Sequence, residues 1–297
     1  MIRRILLASA GAIALSGAAF AADLHAPPPP PPPYVPLPWT GFYVGLNAGY
    51  EWSNNVSVNS SGSSLIADPV GDTTGAYESA LVGVGTANLP VKNNGFIGGG
   101  QIGYNFQFAN NTVASAEADI EGIAGSTSTA TRATFTPVPG FADSYTTAVG
   151  VSNKLDYFGT LRGRYGYLFT PSLLVYGTGG FAWGGTSTSV GFVASDALGF
   201  PTVYGSSRLS TTSVGWTAGG GLEWMFAPNW TAKVEYLYYE LSKQTSSFGY
   251  LTQNFPTGTF GSSALTHFTI QPKGSIVRVG VNYLFNWGTP SAVVAKY

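Results

Sequence analysis

Residues 98–122 read GGGQIGYNFQFANNTVASAEADIEG. On either side of Ala109-Asn110-Asn111 the side chains change character at every position. Before it, Ile102, Tyr104, Phe106 and Phe108 alternate with Gln101, Gly103, Asn105 and Gln107; after it, Ala116, Ala118 and Ile120 alternate with Glu117, Asp119 and Glu121. A period of two is that of a β-strand with two unlike faces. Three carboxylates on one face of a strand, with alanine and isoleucine on the other, call for a sheet whose two sides meet very different surroundings.

The rest of the chain repeats the pattern. TGFYVGLNAGYEW (40–52) sets Phe42, Val44, Leu46, Ala48, Tyr50 and Trp52 against Tyr43, Gly45, Asn47, Gly49 and Glu51. DYFGTLRGRYGY (156–167) sets Tyr157, Leu161, Tyr165 and Tyr167 against Thr160, Arg162 and Arg164. LLVYGTGGFAW (173–183), VGWTAGGGLEWMF (214–226), WTAKVEYLYY (230–239) and SIVRVGVNYLF (275–285) behave alike, with Glu223, Lys233, Glu235 and Arg278 on their polar faces. Together these give eight predicted strands.

The connections alternate too. ANN (109–111), TPS (170–172) and APN (227–229) are short, whereas 54–94, 126–152, 187–209 and 243–272 are long and rich in Gly, Ser, Thr and Asn. Short turns on one side, long loops on the other and an even strand count predict an all-β, eight-stranded antiparallel up-and-down transmembrane β-barrel with periplasmic turns and extracellular loops. Three-residue turns would set Phe108 opposite Thr112, Phe169 opposite Leu173 and Phe226 opposite Trp230, keeping each polar face polar across its hairpin.

In hydrocarbon every backbone polar group needs a protein partner, so only a closed sheet serves. The apolar faces then meet lipid, and Trp39, Trp52, Tyr167, Trp183, Trp224, Trp230 and Tyr283 suit the interfacial girdles. The polar faces meet a lumen just wide enough for side chains to fill. Glu117, Asp119, Glu121, Arg162, Arg164, Glu223, Lys233, Glu235 and Arg278 are therefore expected to form one ion-pair network. Counting from the turns pairs Glu223 with Lys233, and places Glu117 and Asp119 at the height of Arg164 and Arg162.

The amino terminus, MIRRILLASAGAIALSGAAFAAD, has two arginines, a short apolar run and Ala19-Phe20-Ala21, the three regions of a cleaved export signal. Residues 1–21 are read as that signal, with cleavage after Ala21 or Ala22. Residues 22–38 form a proline-rich periplasmic tail, and 39–297 the barrel. The seven prolines from Pro27 favour an extended polyproline helix, a semi-rigid spacer or a ligand for a proline-recognising partner.

Charged residues are only 9% of the chain, so a mature exported protein needs an apolar side facing something other than water. Without Arg3 and Arg4 the net charge is −3, which argues against nucleic acid, and the absence of cysteine removes disulfide and thiolate chemistry.

WTGFYVGLNAGYEW, FIGGGQIGYNFQF, DYFGTLRGRYGY, LLVYGTGGFAWG, GWTAGGGLEWMF with WTAKVEYLYY, and VRVGVNYLFNWGTPSAVVAKY resemble the outer-membrane immunogenic proteins of alphaproteobacteria, small porin-like barrels related to the transmembrane domain of outer-membrane protein A. The resemblance runs from Trp39 to Tyr297. It implies an abundant, surface-exposed outer-membrane protein supporting envelope integrity, set in lipid and lipopolysaccharide and inserted as a monomer by the barrel-assembly machinery. Either Phe285 or Tyr297 would supply the terminal aromatic that this machinery reads. Haem binding, adhesion and weak porin activity are credited to some relatives, but no family haem or catalytic motif maps onto residues here.

Catalysis is not expected. Histidine occurs only at His25, in the proline tail, and His267, in the last long connection. Gly98–Gly100 and Gly219–Gly221 precede no helix, so they relieve crowding within strands rather than cradle phosphate. No cofactor or metal is assigned. The functional expectation is a structural envelope barrel with antigenic surface loops, the alternative being a small-solute pore or a loop-mediated haem or host-surface receptor. Contact between the tail and the cell wall is a further possible partnership.

Overall fold

A computed structural model describes residues 39–53, 56–66, 76, 79–80, 83, 86–125, 127–197, 203–252 and 263–285. The expected export signal (1–21) and proline tail (22–38), and Tyr297, lie outside these. The strands are β1 (Gly41–Ser53), β2 (Val56–Ile66), β3 (Ala87–Val91), β4 (Asn94–Gln107), β5 (Thr112–Gly125), β6 (Ser128–Pro137), β7 (Ser144–Thr170), β8 (Leu173–Asp196), β9 (Val203–Ala227), β10 (Trp230–Leu241), β11 (Gln244–Thr252), β12 (Ser263–Ile270) and β13 (Lys273–Phe285).

Eight of them close on themselves. The antiparallel ladder runs β1-β4-β5-β7-β8-β9-β10-β13, and β13 returns to β1 with Phe42 opposite Phe285. These are the eight strands predicted from the alternation. Closure leaves no unpaired edge within the apolar band.

The outer surface divides into bands. Phe42 packs edge-on against Tyr104 and Trp230 against Tyr283 near the short turns, while Tyr50 meets Phe96 and Trp216 leans on Tyr238 toward the other end. Leu46, Ile102, Ile120, Leu161 and Val279 lie exposed between these aromatic groups. From Phe42 to Trp52 a tilted strand covers roughly 25 Å along the axis, the height of the apolar band of such proteins. Trp39 departs from the expected girdle. It is fully buried at the turn end, where its indole N–H donates to the Pro171 carbonyl at 3.0 Å, because a buried indole needs an acceptor.

The turns keep parity by two routes. At 109–111 the Phe108 N–H donates to Thr112, around a left-handed Asn111 (φ 62°). The other two turns differ from the three-residue count. Thr170 faces Leu173 and Ala227 faces Trp230, with ladder irregularities at 168–170 and 230–231. A bulge restores the alternation that a two-residue turn would have reversed.

Among the described residues, each of the four long connections contains strand where loop was expected. β7 has 27 residues and β8 has 24, so both run well beyond the aromatic band. β6 pairs with Ser144–Asn153 of β7, above the stretch that pairs with β5. A separate four-stranded sheet, β11-β12-β2-β3, draws on the connections 54–94 and 243–272. Sidedness inverts here. Below Trp183 the outward residues of β8 are apolar; above it Ser187, Ser189 and Ser195 face out, while Val190, Phe192 and Ala194 are buried. On β7 an irregularity between Leu155 and Tyr157 makes the switch, so that odd-numbered Val149 and Val151 point inward above it and even-numbered Thr160 and Arg162 below. Water outside and an apolar interior is the arrangement of a soluble sheet pair, which fits an extracellular part.

Candidate functional site: the lumen

Because strand residues alternate, each strand delivers to the lumen the side chains of one face only. At mid-height this set contains five carboxylates (Glu117, Asp119, Glu121, Glu223, Glu235) and four cations (Arg162, Arg164, Lys233, Arg278). Their side chains are at most 1% exposed. Arg162 binds Glu117, Asp119 at 2.8 Å and Glu235 at 3.0 Å. Arg164 binds Glu117 at 3.0 Å and also Glu223. Arg278 binds Glu121, Asp119 at 2.9 Å and Glu235 at 2.6 Å. All nine residues singled out in the sequence thus meet in one cluster.

Register and partner choice differ in places from the count along the strands. Glu117 lies opposite Arg162 in the β5–β7 ladder, one polar step from its expected neighbour Arg164, yet the guanidinium of Arg164 still reaches it. Lys233 lies opposite Glu223 as counted, but its ammonium is bound elsewhere, 3.0 Å from both oxygens of Glu117. Glu223 instead takes Arg164, the Thr231 hydroxyl at 2.6 Å and the Asn282 amide at 2.8 Å. In so narrow a ring the opposite wall is as near as the next strand, so charges choose partners by height rather than by ladder neighbour.

Neutral groups that carried no charge signal in the sequence complete the cluster. The Tyr43 hydroxyl donates to Glu117 at 2.6 Å and accepts from Arg164 at 2.9 Å. The Tyr176 hydroxyl donates to Glu235 at 3.0 Å, and its ring lies 3.9 Å from the Arg164 guanidinium carbon. Both rings lie across glycines. A Cβ at Gly103 would collide with Tyr43, and one at Gly221 with Tyr176. Other glycines of the strands, such as Gly98, Gly100 and Gly179, face outward, so glycine is not confined to the lumen side.

Apolar layers lie on both sides of the charges. Trp39, Leu168, Leu174, Met225 and Leu284 pack together at the turn end. Ile97, Phe158, Leu237, Tyr239 and Ile276 pack above, and there the Tyr239 hydroxyl donates to buried Glu51 at 2.6 Å. Val149, Val151, Val190, Phe192 and Phe268 form a third cluster in the extracellular part. His267 lies not in an open loop but on β12, opposite Ser247 and Ser61. The five acids of the central cluster are bound to protein cations, although Asp119 Oδ1, Glu121 Oε2 and Arg164 Nε have no hydrogen-bond partner among the described residues, and Glu51 takes the Tyr239 hydroxyl rather than a cation.

Comparison with known proteins agrees with this architecture. A family model described as the outer membrane protein beta-barrel domain matches residues 7–285. The 31 kDa outer-membrane immunogenic proteins of Brucella melitensis biotype 1 and Brucella suis biovar 1 are each 32% identical over 294 residues, covering 96% of this chain and all of the relative. A 22 kDa outer membrane protein of Rhizobium leguminosarum bv. viciae is 34% identical over 118 residues, 37% of this chain and 49% of that one. Among solved structures, the outer membrane protein OprG from Pseudomonas aeruginosa aligns over 85% of this chain and all of its own, at 12% identity and a TM-score of 0.38. The chain belongs to the outer-membrane β-barrel family, and it is an outer-membrane protein.

Proposed function

We propose that this protein is a structural element of the outer membrane, a self-filled barrel that supports envelope integrity and carries an antigenic extracellular sheet pair, without enzymatic activity. The observation behind this reading is the lumen. A cross-lumen network of nine ionisable groups, with apolar layers on both sides, is what a barrel needs for its own cohesion and leaves little for a solute path. Partly satisfied polar lumens cost stability, whereas a network that spans the ring ties distant strands together.

The antigenic role is drawn from the Brucella relatives, whose names call them immunogenic. The absence of catalysis is inferred from chemistry: the five acids of the central cluster are bound to arginine or lysine side chains. Planar-bilayer recording of the refolded protein, beside an assay of detergent sensitivity in a deletion strain, tests the reading. We expect no stable, large conductance and a leaky envelope on deletion. A steady ohmic conductance with an intact deletion-strain envelope would replace the structural reading with that of a pore.

A further inference from the structure

Outside the lumen, the described cations are unevenly placed. Lys92, Arg132, Lys154, Arg208, Lys243 and Lys273 all lie at the extracellular ends of their strands or beyond them; the turns ANN, TPS and APN have none. On the outer wall two of these converge. Lys154 of β7 faces Ser187 of β8, which faces Ser210 of β9; one outward row higher, Ser152 faces Ser189, which faces Arg208. The two cations thus stand two strands and one outward row apart, roughly 12 Å, with serine hydroxyls between them. Asp156 takes the Lys154 ammonium at 2.8 Å and the Ser187 hydroxyl at 3.0 Å, holding the lower row in place and leaving the pair of cations one positive charge in excess over this carboxylate.

The next row up has glycine on both β7 and β8, between Thr131 of β6 and Ser206 of β9. Gly150 and Gly191 floor a trough of about 460 Å³ on the sheet's outer face, edged by Thr129, Thr131, Ser152, Ser189, Ser206 and Arg208. A Cβ at Gly191 would meet nothing within 4 Å. Above the trough stands Tyr204, opposite Val193 and 74% exposed. A shallow, hydroxyl-edged groove with an aromatic ring at one end and a guanidinium at the other suits a sugar ring bearing an anionic group. Its height identifies the source: Trp183 and Tyr157, at the top of the lipid-facing band, lie just below the Lys154–Ser187 row.

We infer that the outer face of β6–β9 is a binding site for the phosphorylated sugar headgroup of an outer-leaflet glycolipid, lipopolysaccharide in type. Lys154 and Arg208 hold its phosphate and the Gly150–Gly191 trough holds its sugar. The inference deepens the structural reading above, since headgroups bound to the barrel wall would tie the protein into the leaflet it supports.

The test uses the whole mature protein in zwitterionic detergent, with purified rough lipopolysaccharide as probe and retained ligand counted by native mass spectrometry. The comparison probes are the same glycolipid after phosphatase treatment, phosphatidylglycerol and inorganic phosphate. We expect preferential retention of the phosphorylated glycolipid. Lys154→Gln and Arg208→Gln should each weaken it about fivefold and together about 25-fold, as for cations at an anionic membrane surface. Gly191→Val, which fills the trough without touching charge, should weaken the glycolipid and leave phosphatidylglycerol unchanged. A retained gel shift between unboiled and boiled samples certifies that each variant is folded. Equal binding by wild type and the double variant would overturn the inference. So would equal retention of phosphatidylglycerol, or full competition by inorganic phosphate, which mark an unselective cationic rim. A barrel that conducts yet still retains glycolipid through Lys154 and Arg208 would refute the structural reading alone.

Discussion

Lys233 and Glu223 are opposed in the β9–β10 ladder, yet the Lys233 ammonium is bound to Glu117 on β5, which lies diametrically across the eight-strand ring. The nearest sequence-register partner is therefore not the energetic one. A double-mutant cycle separates the two. We expect a coupling of about 1–3 kcal/mol for Lys233→Ala with Glu117→Ala, and a value within about 0.5 kcal/mol of zero for Lys233→Ala with Glu223→Ala. Urea unfolding from lipid vesicles provides the measurement. The reverse order of couplings would mean that Lys233 swings back to its ladder neighbour in the membrane.

Arg278 reaches four carboxylates on two other strands, Glu117 (3.6 Å), Asp119 and Glu121 of β5 and Glu235 of β10. Removing it leaves buried Glu121 without a cation and takes one of the cations from Asp119 and Glu235, so Arg278→Ala should cost about 3–5 kcal/mol. Arg278→Lys should recover less than half of that. An ammonium keeps the charge but not the planar fork that spans partners on opposite sides. Full rescue by lysine in the same unfolding assay would show that charge alone matters there.

How far the sequence is legible follows from what the two-residue period can carry. It was enough for eight strands, for the side that meets lipid, and for the nine charged groups of the central network, but it left out Glu51, which lies buried against Tyr239. It could not say which charges meet, because partner choice depends on ring diameter and strand stagger, neither of which is local. Tyr43 and Tyr176 were legible as lumen residues but not as hydrogen-bonding members of the network; Gly103 and Gly221, on which their rings lie, belong to other strands. The extracellular sheets were hidden for another reason. In 144–155 and 186–195 the alternation persists with reversed sidedness, valine and phenylalanine in and serine out, and Ser/Thr/Gly content made it resemble loop. The irregularity near Asp156 further breaks the count along β7.

That hidden part has its own core, and it should melt by itself. Val151 is 2% exposed and packs in the cluster with Val149, Val190 and Phe192. A carboxylate there has no partner, so Val151→Asp should unfold the extracellular sheets while sparing the barrel. In hydrogen exchange, Ser144–Asn153 and Val190–Ala194 should lose protection while Thr160–Tyr167 keep theirs, and the heat-dependent gel shift should persist. Loss of protection in both regions together would mean that sheets and barrel fold as one unit.

The last expectation concerns two glycines five residues apart on β4. Gly98 faces outward, and a Cβ there would find its nearest neighbour, the Asn47 carbonyl, at 3.8 Å. Gly103 faces the lumen beneath the ring of Tyr43. Gly98→Ala should change stability by no more than about 0.5 kcal/mol, as for most surface changes free of special contacts. Gly103→Ala must push Tyr43 aside, which costs about 1–3 kcal/mol in overpacking. It also pulls the hydroxyl from Glu117 and Arg164. On a Tyr43→Ala background the ring is gone but the Ala116 carbonyl, 2.6 Å from that Cβ, remains, so Gly103→Ala should then cost about 1 kcal/mol less than with the ring present, without becoming neutral. If Gly103→Ala is equally costly with and without the Tyr43 ring, the strain resides in the backbone of β4 or β5, and the tyrosine's seat on glycine is incidental.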